Sequence, residues 1–303
     1  MSMRELAIGV VGATGLVGQE LLELFKKRTP FTVDKLSARD FVLDKDYDFL
    51  FLATPSSISK EIASLAKEKT GCIIDLSSAH RNDPLVPLII PEINGYLLEK
   101  NPPLIASPNC IATILLLPLA PLHRLYTIKK IIASSYQAAS GAGALGLKEL
   151  LQNEPPSIFP HPYAYNVFLH ESPRSKDNFC EEEEKVLFET RKILEEPRLP
   201  INIRCVRVPV ERAHSLSINV IFERPPKEAA QILEESSGLL YHTSPTPRYA
   251  EKRDEVLWGS LRQDPTEPCG LDIWVCGDQL LKGAALNAFQ IFEALTSQIK
   301  TCL

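Results

Sequence analysis

The tetrad Ser107-Pro108-Asn109-Cys110 follows a short apolar run, Pro103 to Ala106, and opens a longer one, Ile111 to Leu117. The pattern predicts strand, tight turn, then helix. Pro108 cannot continue a strand ladder, and Asn109 is a good helix N-cap. Cys110 then falls in the first helical turn, where open backbone N–H groups and the positive end of the dipole favour a thiolate. A thiolate there suits covalent catalysis. A second constellation lies far along the chain. Arg207 and His214 are separated by Val208-Pro209-Val210-Glu211-Arg212-Ala213 and join two apolar runs. A loop that folds back brings guanidinium and imidazole to one place, and a histidine there suits acid/base work near neutral pH. Arg81 comes just after Asp75-Leu76-Ser77-Ser78-Ala79-His80, past the C-terminal end of an expected strand. Ligands bind at that edge of an open α/β sheet, and arginine grips carboxylate or phosphate through two parallel bonds.

Other candidates read as ordinary. His80, His123, His161, His170 and His242 stand in no such pattern and are read as surface-loop histidines. The run Glu181 to Glu184, followed by Lys185, reads as a solvated helix start whose acids suit the dipole.

Elements must carry these residues. Leu6 to Val11 is a buried-strand pattern that runs into Gly12-Ala13-Thr14-Gly15-Leu16-Val17-Gly18. A helix with Leu21, Leu22, Leu24 and Phe25 on one face follows. Strand, glycine turn and helix begin a dinucleotide-binding unit, here spaced GxxGxxG rather than GxGxxG. Strands are expected near 31–38, 48–53, 72–76 and 104–106, with a helix over 57–69. That alternation implies a mostly parallel sheet with helices on both faces. From Ile128 the pattern changes. Strands are expected over 130–137, 203–208, 215–222, 256–262 and 271–276, and helices over 144–152, 181–195 and 227–236. A final helix runs from Gln279 to about Gln298. The expected class is therefore α/β. A Rossmann-like domain takes residues 1–127 and 279–303, and an α+β catalytic and dimerisation domain with a mixed sheet takes 128–278. The last helix returns to the first domain.

Composition sets outer bounds. At 303 residues the chain can hold two domains, and a net charge of −5 with no basic block excludes a nucleic-acid partner. The longest apolar stretch, 111–120, contains Pro118 and is too short to cross a membrane. No leader is expected. Seven cysteines, an odd number with no CxxC pair, imply a reducing, cytoplasmic setting and no metal site.

Together these motifs resemble the aspartate-β-semialdehyde dehydrogenase family over nearly the whole chain. The matching segments are Gly12 to Gly18, Ser37-Ala38-Arg39, Asp75 to Arg81, Ser107 to Cys110, Tyr136 to Gly143, Glu182 to Lys185, Arg207 to His214, and Gly277 to Ala285. The resemblance implies NADP-dependent reduction of aspartyl-β-phosphate to aspartate-β-semialdehyde through a cysteine thioacyl intermediate, in amino-acid biosynthesis. It implies that Cys110 is the nucleophile, His214 the acid/base, and Gln137 the group that orients the thioacyl centre beside Asn109. Arg207 takes the substrate carboxylate, Glu182 its amino group, and Arg81 with Lys185 the phosphate. Gly12, Thr14, Gly15, Leu16, Val17, Ser37, Arg39, Ser140, Gly141 and Gln279 line the cofactor site. A homodimer through the second domain is implied too.

Two rivals fit less well. A related reductase of N-acetylglutamyl phosphate would carry glycine before the cysteine, where Asn109 stands. A non-catalytic dinucleotide sensor would not need Cys110, Gln137, Arg207 and His214 together. The chain also departs from the family. It is short, it is compressed between Arg39 and Tyr47 so that a cofactor-domain strand is expected to be missing or trimmed, and it is cut down between Gln152 and Glu181. Asp40 follows Arg39 and would repel a 2′-phosphate. Asp34 is a rival that would select NAD through the ribose hydroxyls.

Overall fold

The computed structural model describes residues 6–43, 45–152 and 157–301; Glu5 and Cys302 lie outside them. The chain forms two compact units, Met1–Pro108 with Ala284–Leu303, and Asn109–Gly283.

The first unit begins with β1 (Ile8–Val11), α1 (Leu16–Arg28), β2 (Val33–Leu36), β3 (Tyr47–Leu52), α2 (Ser56–Ala66), β4 (Thr70–Asp75), a short α3 (Pro91–Asn94) and β5 (Leu104–Ala106). The strands lie in the order β2-β1-β3-β4-β5, and every pair is parallel. β1 is buried along its whole length, and β3 and β4 nearly so, as expected for strands covered on both faces. β2 is short and only half-buried. The chain passes from β2 to β3 with no helix among the described residues of 37–46.

The second unit opens with α4 (Cys110–Tyr126) and continues through β6 (Ile128–Gln137), α5 (Gly143–Gln152), β7 (Phe168–Leu169), α6 (Glu181–Ile193), β8 (Ile201–Arg207) and β9 (His214–Phe222). Then come α7 (Ala229–Glu235), β10 (Leu239–Tyr241), α8 (Pro247–Ala250), β11 (Val256–Gln263) and β12 (Gly270–Gly277). Seven strands form a mixed sheet in the order β10-β11-β12-β9-β6-β8-β7. Pro118 and Pro121 lie inside α4 without ending it. Each removes a helix hydrogen bond at a cost of about 3 kcal/mol. Every residue from Ile111 to Ala120 is buried, and burying each large apolar side chain returns about 1.5–3 kcal/mol, so burial wins.

The expected boundary near residue 127 is corrected to 108/109. α4 packs on β6, β9, β11 and β12 and on α6 and α7, so its core is that of the second unit. The expected final helix starts two residues later than Gln279, at Leu281, with a π-helical turn that runs on without a break. Asp278 Oδ1 accepts the N–H groups of Leu280 and Leu281, a π-helical turn spans Leu281–Ala285, and α9 (Leu286–Thr301) follows. α9 closes the first unit: Phe289 and Phe292 each meet Phe25 of α1 edge-on at 5.1 Å, and Phe292 meets Phe49 of β3 at 5.0 Å. Among the described residues, no helix is long and apolar enough to cross a membrane.

Candidate active site

Cys110 is the first residue of α4, and Asn109 caps that helix. The Asn109 Oδ1 atom accepts the N–H groups of Ile111 at 2.8 Å and Ala112 at 3.4 Å. Its Nδ2 donates to Glu182 Oε1 at 2.8 Å, and its backbone N–H donates to Glu189 Oε2 at 2.5 Å. Two carboxylates of α6 therefore hold the turn that presents the thiol. Gly283 closes the other side. A Cβ there would lie 2.8 Å from the Cys110 Cβ, closer than side-chain carbons approach, so only glycine fits.

Sheet register gathers the other three groups. Gln137 ends β6 directly opposite Arg207, which ends the parallel strand β8. His214 starts β9, antiparallel to β6, so it enters at the same sheet end. All three are buried. His214 Nδ1 accepts the backbone N–H of Ala138 at 3.0 Å, and its buried Nε2 has no hydrogen-bond partner among the described residues. Burial first, then the nearby Arg207 charge and His170, push the His214 pKa well below the ordinary value of 6.5, so the ring is neutral. Gly141 lies against it. A Cβ there would sit 3.1 Å from His214 Nε2 and 3.6 Å from Arg207 Nη1. The missing side chain leaves room beside both donors.

Arg207 is densely contacted. Its Nε and Nη2 donate to Glu171 Oε2 at 3.0 Å and Oε1 at 2.7 Å. Nη2 also donates to His170 Nε2 at 2.8 Å, and Nη1 to Gln137 Oε1 at 3.5 Å. The guanidinium lies 5.5 Å from the Phe159 ring centroid. Gln137 Nε2 donates to Ser135 Oγ, so this amide braces Arg207 from below. Lys185 pairs with Glu181 at 2.8 Å on α6.

Several groups here differ from the sequence expectation. Glu171 and His170 touch Arg207 directly, and neither stood out by spacing. The acidic run is not uniformly solvated: Glu183 is buried and accepts the N–H groups of Cys180 and Cys205, tying α6 to β8. Gln279 engages both ends of its amide within the unit. Its Oε1 accepts the Ala213 N–H at 2.8 Å, and its Nε2 donates to Ser140 Oγ at 2.7 Å, which in turn donates to Glu211 O. Ala213 takes a left-handed φ of 69° just before His214, so Gln279 secures a strained residue beside the imidazole.

The first unit carries the dinucleotide-type turn. Gly12 has φ 82°, and a Cβ on Gly12 or Gly18 would strike backbone at Ala53 O or Gly12 O. Gly15 is different, because the nearest atom to its imagined Cβ is 3.5 Å away. The protein's own packing thus requires Gly12 and Gly18, while the space over Gly15 stands open at the uncapped N-terminus of α1. Thr14 and Gly15 are exposed there, and Leu16 and Val17 half-buried. That is the shape a pyrophosphate needs. Beyond β2, Ser37 Oγ accepts the N–H groups of Arg39 and Asp40, and Arg39 is exposed. Asp34 is engaged elsewhere, by Lys45 at 2.8 Å and the Tyr47 hydroxyl at 3.1 Å. Arg81 donates from Nε to Ser107 O and from Nη2 to Leu76 O, tying the end of β4 to the segment before Pro108. Buried Asp75 binds His80 Nδ1 at 2.7 Å, so His80 is not a surface histidine. No cluster of metal-ligating side chains is present among the described residues, and no disulfide joins the described cysteines.

Two family models match. One, described as semialdehyde dehydrogenase, NAD binding domain, covers residues 31–101, and the other, semialdehyde dehydrogenase, dimerisation domain, covers 119–282. Aspartate-semialdehyde dehydrogenase of Prochlorococcus marinus is 39% identical over 97% of this chain and 97% of its own. The Synechocystis enzyme of the same name is 38% identical over 96% of this chain and 97% of its own. Among solved structures, aspartate semialdehyde dehydrogenase II of Vibrio cholerae, complexed with ASA, superposes with a TM-score of 0.93 at 28% identity, covering 97% of this chain and 99% of that one.

Proposed function

The chain belongs to the aspartate-semialdehyde dehydrogenase family, and from that premise we propose how its residues divide the work. It is an oxidoreductase of amino-acid biosynthesis that uses a nicotinamide dinucleotide to convert aspartyl-β-phosphate to aspartate-β-semialdehyde. The observation that carries the residue assignment is the register that sets Gln137, Arg207 and His214 at one sheet end.

Cys110 attacks the acyl carbon and expels phosphate, forming a thioacyl enzyme. The dinucleotide, when bound, supplies the hydride that reduces it. Carbon–sulfur cleavage then releases the aldehyde and returns the thiolate. His214 Nε2–H faces the oxygen on which charge develops. A buried donor without a partner is an oxyanion site in waiting, and such donors contribute about 2.7–4 kcal/mol to the transition state. Arg207 takes the substrate carboxylate, with Gln137 setting its plane. Glu182 takes the amino group while its Oε1 holds the Asn109 amide. Arg81 and Lys185 are assigned to phosphate.

The glycine turn holds the pyrophosphate through Gly12, Thr14, Gly15, Leu16 and Val17. NADP is the preferred form, with Ser37 and Arg39 at the 2′-phosphate. Ser140, Gly141 and Gln279 keep their assignment to the cofactor alongside the bracing they perform. The active form is a homodimer through residues 119–282, as the matching model's description suggests, and the compartment is the cytoplasm.

The test is phosphate-dependent reduction of NADP with aspartate semialdehyde, repeated with NAD and with N-acetylglutamate semialdehyde. Turnover of the first substrate only, with NADP ahead of NAD, is expected. Preference for the acetylated substrate would overturn the assignment.

A further inference from the structure

The fork of Arg207 already holds a carboxylate. An arginine offers two bidentate edges, one from Nε with one terminal nitrogen and one from the two terminal nitrogens. Glu171 fills the first edge, with bonds of 3.0 and 2.7 Å. His170 Nε2 takes the remaining N–H of Nη2 at 2.8 Å and so blocks half of the second. Only Nη1 remains, and it already leans on Gln137 Oε1 at 3.5 Å. A substrate carboxylate therefore meets Arg207 through two bonds only if Glu171 or His170 withdraws, and of the two Glu171 is the more exposed, at 22% against 10%, and the one that carries a competing carboxylate.

We propose that Glu171 is an internal competitor for the substrate carboxylate, and that substrate binds by exchanging one carboxylate for the other on Arg207. This rests on the reading of Arg207 as the carboxylate clamp. The two partners differ in the way an exchange requires. The Arg207 side chain is 4% exposed, whereas that of Glu171 is 22% exposed. Glu171 lies in the link between β7 and α6, outside regular structure, and can swing toward water. The exchange conserves charge. At no stage is the buried guanidinium left without an anion, which would cost several kcal/mol. An uncharged or cationic head group cannot displace Glu171, so the pair selects for substrates that carry a carboxylate. Apparent affinity is then the difference between the affinity of the fork for the substrate carboxylate and its affinity for Glu171.

Glu171→Gln keeps size and removes the competing charge. The experiment measures KM for aspartate semialdehyde and the inhibition constant of L-2-aminobutyrate, which has the substrate's head group without the aldehyde oxygen. Wild type, Glu171→Gln, Glu171→Asp and Arg207→Lys are compared. In Glu171→Gln both constants should fall by about three- to tenfold. The Asp side chain of Glu171→Asp is one methylene shorter and reaches the fork less well, so it should give a smaller fall, and it carries the test should Glu171→Gln not fold. Unchanged or raised constants in both Glu171 variants would overturn the exchange and mark Glu171 as a brace. If Arg207→Lys weakens the analogue but neither Glu171 variant tightens it, only the exchange fails. If Arg207→Lys leaves the analogue unaffected, the reading of Arg207 itself fails.

Discussion

The Nδ1 atom of His214 accepts the Ala138 backbone N–H at 3.0 Å, and this bond decides which nitrogen carries the ring proton. A backbone N–H can only donate, so Nδ1 must keep its lone pair, and the neutral ring is protonated on Nε2. Abstracting a proton with Nε2 would place a second hydrogen opposite Ala138. In the proposed scheme His214 is therefore assigned as a hydrogen-bond donor to developing charge, where the sequence expectation made it the acid/base, and the two roles separate by mutation. An amide can replace a donor but not a proton shuttle. His214→Ala should lower kcat about 10²–10³-fold, and His214→Asn should lose distinctly less. Equal losses would restore the acid/base role.

Cys110 carries the covalent step in this scheme. Cys110→Ala should abolish turnover by several orders of magnitude while leaving the fold and dinucleotide binding intact. Burst-phase phosphate release with aspartyl phosphate is the direct readout, and the variant should show none. Activity within tenfold of wild type would remove the thioacyl intermediate from the mechanism.

Glu189 holds the residue before the nucleophile. Its Oε2 accepts the Asn109 N–H, and both groups are buried. Glu189→Gln keeps an oxygen acceptor, whereas Glu189→Ala strands the N–H at a cost of about 1–3 kcal/mol. The alanine variant should melt several degrees lower and lose kcat more than it raises KM, because the Cys110 turn is released. Glutamine should recover most of both. A pure stability loss with unchanged kcat would make Glu189 structural only.

These cases also mark how far the sequence could be read. Cys110, Gln137, Arg207 and His214 stand at strand ends or helix starts beside turn residues, where chemistry and punctuation coincide. Glu189 leaves a fainter trace. It shares a helical face with Val186 and Ile193, at spacings of three and four, and an acid on that inward stripe needs a buried partner. Nothing comparable marks Glu171 or His170. Their meaning comes from the irregular chain after β7 folding back on the end of β8, a long-range contact with no local signature. The boundary at 108/109 was hidden for a related reason. Nothing local in an apolar helix says which sheet it covers.

Acid should unfold this protein through its buried histidines. Burial first, then the charge of Arg207, holds His170 and His214 below their ordinary value, and burial lowers His123 against the opposing pull of Glu196. The unfolded chain therefore binds more protons below about pH 6.5, and stability falls as pH drops through that value toward the lowered native ones. For Glu171, burial pulls upward, but the bonds and charge of Arg207 outweigh it and hold the carboxyl below 4.5. Its contribution is complete above 4.5 and is lost as pH falls through the lowered value. Melting temperature should be flat from pH 8 to 7 and then decline. His214→Asn should decline less steeply between pH 6.5 and 5. Parallel curves would show that His214 does not take up the proton on unfolding.

Cofactor choice turns on the end of β2. Arg39 lies just beyond it, exposed, with its backbone N–H bound by Ser37 Oγ at 3.2 Å. A guanidinium there can pair with a 2′-phosphate. The rival, Asp34, sits in the middle of β2 opposite Gly9, and its Oδ2 already binds Lys45 and the Tyr47 hydroxyl, which hold its carboxyl below the usual range. It is therefore poorly placed to take ribose hydroxyls. Asp40 works against Arg39, so the NADP preference should be modest. Arg39→Ala should raise KM for NADP about tenfold, the worth of one charge-assisted contact, and leave KM for NAD unchanged. Asp40→Asn should move NADP the other way, by a smaller factor. Comparable kcat/KM for the two cofactors in the wild type would count against the arginine, and tighter NADP binding after Arg39→Ala would end its case.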